Sequence, residues 1–152
     1  MIVMRQRRRP VKGSLIVEFA FTFGLLFPLF AGTFDFGYCF FVYNELQNSV
    51  RQGARYASLK TYDSATAAYT EEFGTAVRNM VVYGNPAGGP RPTVPRLSAS
   101  NVALTVVFAK GIPSEVKVGL RDYRFVSVLR NFTLDKPSCS FPYAGRFAPG
   151  GM

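Results

Sequence analysis

The chain has 152 residues, with 18 lysines and arginines against 9 acidic residues, two cysteines and no histidine. The commonest general base and the commonest zinc ligand are therefore missing, and two cysteines cannot complete a four-ligand metal site. The net charge of +9 invites a nucleic-acid reading, but five positive charges (Arg5, Arg7, Arg8, Arg9, Lys12) lie in the first dozen residues, leaving +4 on the rest, so no nucleic-acid partner is expected.

Directly after that basic run, residues 14–34 hold a single charge, Glu18, among Phe, Leu, Ile and Val. As a helix they would span about 32 Å, close to the roughly 30 Å hydrocarbon core of a bilayer. We expect a transmembrane helix over 14–38. Basic flanks stay on the cytoplasmic side, so the N-terminus is expected inside and residues 39–152 translocated.

A carboxylate inside an apolar helix costs roughly 2.5–3.5 kcal/mol at the helix centre and less near an end. Glu18 can lower that cost by reaching the headgroups or by staying protonated. A second arrangement follows from Gly13, placed between the basic leader and the apolar run. Gly13-Ser14-Leu15-Ile16-Val17-Glu18 has the form of a type IV pilin-like processing site, with a glycine before the cut and a glutamate at the fifth position after it. A glycine leaves the scissile backbone open to a peptidase. Cleavage would give Ser14 a new ammonium, which Glu18 of a neighbouring subunit could neutralise. A secretory signal fits less well, because its apolar region is only about 7–15 residues long. A twin-arginine signal is disfavoured by Pro10 and Lys12, and Asp35-Phe36-Gly37 lacks every other part of a kinase.

Beyond Tyr38, Val42, Leu46, Val50, Gly53/Ala54 and Ala57 recur at spacings of three and four, extending the helix to about residue 60. This narrow stripe can serve as the core of its own domain, as a subunit contact, or as both. Its small residues allow close approach of another element.

The segment Val17–Ser58 resembles the N-terminal signature of TadE-like proteins, minor pilins or pseudopilins of tight-adherence (Tad) pilus systems. The resemblance rests on Val17-Glu18-Phe19-Ala20, Asp35-Phe36-Gly37, Asn44, Leu46-Gln47-Asn48, Arg51 and Gly53-Ala54-Arg55-Tyr56-Ala57. The family usually has a proline about six residues after the glutamate; here that position is Gly24, and Pro28 follows one turn later. The resemblance implies a non-enzymatic subunit without cofactor or metal. It sits in a bacterial inner membrane as a single span and contributes to a pilus for surface attachment. The implied partners are a prepilin-type leader peptidase, other pilin subunits and the Tad secretion machinery. Residues 1–13 would then be a removable leader, Gly13 and Ser14 the processing site and Glu18 the assembly contact. The alternative is an uncleaved single-span anchor displaying an adhesive or envelope-binding domain.

The exported part is expected to be α+β. A second helix should run from Asp63 or Ser64 to Tyr83, with Tyr69, Phe73, Val77, Met80 and Val81 inward. The proline- and glycine-rich stretch 84–100 is expected to be an extended, mobile linker, or else a docking ligand for a partner. Val102–Phe108 and Val116–Leu120 alternate as strands joined by a turn at Lys110-Gly111-Ile112-Pro113. Residues 125–132 fit either a short membrane-surface helix or a strand, and Ser138–Phe141 a third strand. The run Val116–Phe125 is also weakly similar to the C-terminal region of the family. Cys39 and Cys139 can form one disulfide in an oxidising space or stay as two buried thiols. Asp63, Glu71, Glu72, Glu115, Asp122 and Asp135 are scattered and read as solvated surface, and no serine has a histidine to activate it.

Overall fold

The computed structural model describes residues 12–60, 62–63, 69–109, 112–127, 129, 131–145 and 147–148. The basic residues Arg5, Arg7, Arg8 and Arg9 of the expected leader, the alternative helix cap Ser64, and the expected turn residues Lys110 and Gly111 lie outside them. The chain divides into two compact units between Gly37 and Tyr38.

Helix α1 runs Lys12–Leu59. In the first unit its side chains are almost all exposed, and the most apolar 18-residue window has a mean hydropathy of 1.9 with none of it buried. Stacked rings at four-residue intervals line this part: Phe19 on Phe23 at 6.0 Å, Phe23 on Phe27 at 5.4 Å, and Phe30 on Phe34 at 5.0 Å. Pro28 sits inside the helix, and one turn on the Thr33 hydroxyl donates to the Leu29 carbonyl at 2.9 Å.

In the second unit α1 becomes one-sided. Val42, Leu46, Val50, Ala54 and Ala57 are buried, as the spacing predicts, while Asn44, Asn48, Arg51 and Arg55 face outward. Strand β1 (Tyr62–Asp63) follows, then helix α2 (Glu71–Tyr83). The helix begins later than expected because Thr70 is the residue that caps it: its hydroxyl accepts from Phe73 N at 3.3 Å, and Glu71 and Glu72 occupy the positive end of the dipole. Asp63 is in a strand instead of capping. The end is as expected, with Gly84 at φ +68 closing the helix by donating to the Met80 carbonyl at 3.0 Å. The buried face is Phe73, Gly74, Val77, Val81 and Val82; Met80 is only half-buried.

The segment after α2 is not a plain linker. Val94 and Leu97 are buried in the core, and Thr93 bonds the Val82 carbonyl through both its amide and its hydroxyl. A 3-10 turn (Ala99–Asn101) leads into β2 (Val102–Ala109), which pairs antiparallel with β3 (Ile112–Leu120). Ala109 faces Ile112 and Phe108 faces Pro113, so Ile112 and Pro113 belong to the strand and the turn is shorter than expected.

The ambiguous stretch resolves into an antiparallel ribbon, β4 (Tyr123–Val126) with β5 (Asn131–Leu134). The expected third strand is β6 (Ser138–Pro142), on the other side of β3. Strand β7 (Phe147–Ala148), absent from the sequence reading, pairs parallel with β1. Two-residue strands carry too little pattern to be found in advance.

Val102, Val116, Val118, Leu120, Tyr123 and Phe125 from the strands join the buried stripes of α1 and α2, and Val94 and Leu97, in one core. The result is an apolar N-terminal helix packed, in its second half, with a second helix and small, mainly antiparallel sheets.

Candidate functional site: the apolar helix and its carboxylate

Gly13 is the second residue of the helix, and a side chain added there would meet nothing within 4 Å. Gly13, Ser14, Val17, Glu18, Phe21 and Thr22 line one strip of α1. Four-residue spacing puts the polar groups of Ser14, Glu18 and Thr22 in register along that strip. Thr22 was not foreseen, although the same spacing counted from Glu18 would have found it. Glu18 is exposed and has no hydrogen bond or ion pair to another described residue. Within a bilayer such a carboxylate is costly without a partner.

The remaining signature residues do two different jobs. Leu46, Gly53 and Ala54 are buried, and Gly53 faces α2 so closely that a Cβ there would fall on Val81 Cγ2. The small residue is what permits that helix crossing. Close by, Ser49 shares a 3.2 Å hydrogen bond with Thr93, fixing the α1 stripe to the loop after α2. Asn44, Arg51 and Arg55 are exposed, and Gln47 and Tyr56 half-buried, with Lys60 Nζ 5.6 Å from the Tyr56 ring centre. Gly37 has open space around it, and Asp35 is half-buried. Past the end of α1, the Tyr143 hydroxyl donates to the Lys60 carbonyl at 3.0 Å and Ala144 N donates to the Ser58 carbonyl at 2.9 Å. Cys39 and Cys139 are both free, half-buried thiols at the margin of the core.

Residues 13–55 match the family model described as TadE-like protein. Over that segment the chain is similar to TadE-like proteins. The match begins at Gly13 and ends at Arg55, so it takes in the polar strip, the exposed apolar part of α1 and the Gly53-Ala54 contact with α2. No curated protein and no solved structure matches the chain. Among the described residues no group of three or more His, Cys, Asp or Glu could hold a metal ion. The apolar helix is long and apolar enough to cross a membrane, consistent with a membrane anchor.

Proposed function

We propose that this TadE-like chain is a membrane-inserted minor pilin or pseudopilin that contributes to assembly of a Tad-type pilus for surface attachment. In this reading residues 1–13 are a cytoplasmic leader removed by a prepilin-type peptidase, residues 14–38 span the inner membrane, and the domain from residue 39 onward is exported. The observation that carries the proposal is the polar strip. Gly13 is open, and Glu18 lies one turn from Ser14 on a helix whose apolar surface is otherwise unoccupied. A carboxylate there is tolerable when the new amino group of Ser14, on a neighbouring subunit, neutralises it. Other pilin subunits are therefore the partners of the first part of α1, as the peptidase is of Gly13.

The test is the N-terminus of the membrane-fraction protein. Mass spectrometry should find Ser14 as the first residue, and Gly13→Phe should leave the full-length chain uncut. Glu18→Ala should still be cut and still be held in the membrane, but should no longer co-purify with the pilus. A native protein that keeps its arginine-rich leader would instead favour the uncleaved anchor displaying a binding domain.

A further inference from the structure

The ribbon β4–β5 has two dissimilar faces. Tyr123 and Phe125 are buried, and Phe132 is packed beside Phe125 at 4.8 Å. The opposite face presents Arg124, Val126, Asn131 and Thr133, with Arg124 opposite Thr133 and Val126 opposite Asn131. Arg96 completes a cleft of about 570 Å³ with these four residues and Phe132.

Three features of the cleft suit an anion. Its lining holds two guanidinium groups, an amide and a hydroxyl, and no carboxylate. Neither Arg96 nor Arg124 forms an ion pair with another described residue, so both charges are available. The backbone of Arg96 is also held in place: its φ is +66, its neighbour Pro95 accepts the Tyr123 hydroxyl at 2.8 Å, and Val94 and Leu97 are anchored in the core. Paired guanidinium forks suit the oxygens of a phosphate.

The ribbon also touches the start of the second unit, where the chain leaves the expected span. Phe125 packs on Tyr38 with ring centres 5.9 Å apart. Tyr38 is the last residue of the span expected over 14–38, three residues past Asp35 and followed by the exposed Phe40 and Phe41, and tyrosines are enriched where hydrocarbon meets water. Leu129, in the connection between β4 and β5, is 62% exposed, as suits a residue that dips into the headgroup layer.

We propose that the cleft formed by Arg96, Arg124, Asn131 and Thr133 binds the phosphodiester headgroup of an anionic lipid in the membrane that holds α1. The inference rests on the membrane-anchor reading of α1 and adds a second, headgroup-specific contact to it. Such a contact would restrain the exported domain at the membrane surface before assembly and would have to be released on extraction into a filament.

The experiment uses the full chain in detergent micelles and follows amide hydrogen exchange over residues 123–134. Phosphatidylglycerol should slow exchange there, whereas phosphatidylcholine and inorganic phosphate at matched concentration should not. The double variant Arg96→Gln/Arg124→Gln should weaken the apparent phosphatidylglycerol affinity by roughly thirtyfold, given the usual contribution of two basic groups at an anionic surface. Arg124→Lys, which keeps the charge and loses the fork, should weaken binding less than the double variant does, and the charge-matched control Arg91→Gln/Arg121→Gln should leave it unchanged. Equal protection by inorganic phosphate would overturn the lipid source. Protection that needs no lipid and rises with protein concentration would assign the cleft to a second copy. An effect of phosphatidylglycerol that survives the double variant would remove the cleft from the account. Alkaline carbonate extraction of cell membranes checks the anchor separately: a chain released by carbonate defeats the membrane reading itself, whereas a retained chain without lipid preference defeats only the cleft.

Discussion

At the scale of single residues, Tyr123 shows how a buried polar group can be both a brace and a liability. Its ring is 3% exposed, and its hydroxyl donates to the Pro95 carbonyl. Burial raises its pKa, the nearby Tyr38 raises it further, and Arg96 lowers it. The native state thus holds the phenol proton to higher pH than the unfolded chain does. The contribution to stability is complete below the ordinary tyrosine range of about 10 and is lost as pH rises through the native value. Tyr123→Phe should therefore cost about 0.5–1.5 kcal/mol at neutral pH, the usual worth of one hydrogen bond. The difference from the native protein should shrink as denaturant unfolding is repeated toward pH 11. A constant difference across that range would mean that the phenol does not ionise in step with unfolding. Glu18 is the opposite case. It is exposed in the isolated chain, and its significance comes from what must surround it elsewhere.

At the scale of elements, the crossing of α1 and α2 depends on Gly53. Glycine to alanine inside a helix ordinarily gains roughly 0.8–1 kcal/mol from propensity. Here the added Cβ would collide with Val81 Cγ2, and Val81 is fully buried with a stiff branched side chain. Overpacking of this kind costs about 1–3 kcal/mol and should outweigh the gain. Gly53→Ala is expected to lower the thermal midpoint of the second unit, and a rise would mean that the helices separate without loss.

Long periodic elements were legible in the sequence because their pattern repeats: α1 over its whole length, the buried stripe of α2, and the alternation of β2 and β3. The loop after α2 was misread for a physical reason. Prolines and glycines report backbone irregularity, not exposure, and two isolated apolar residues among them carry no period. Leu97 is nonetheless 3% exposed and Val94 1%. Leu97→Ala should destabilise by about 2–5 kcal/mol in urea unfolding, as for a core leucine, whereas a linker position would change by no more than about 0.5 kcal/mol. The candidate site divides along the same line. Gly13 and Glu18 were legible as a local motif, whereas the cleft at Arg96 and Arg124 joins residues from a loop and a ribbon that no spacing connects.

At the scale of the whole molecule, two solvents are implied by one chain. The first unit leaves Phe21, Phe19 and Val17 at 81%, 70% and 69% exposure, a surface that water does not favour and that lipid or neighbouring helices would cover. The core of the second unit draws on residues from Val42 to Phe125, all of its own making. Folding of the second unit should then be separable from insertion of the first. A fragment beginning at Tyr38 should be soluble without detergent and unfold in a single sharp urea transition, with a slope of about 1–3 kcal/mol/M for a domain of this size. The full chain should require detergent and remain with membranes after alkaline carbonate. A broad, non-cooperative transition in the fragment would show that the second unit depends on the apolar helix for more than tethering. In that case the second unit could not keep its fold when separated from the apolar helix.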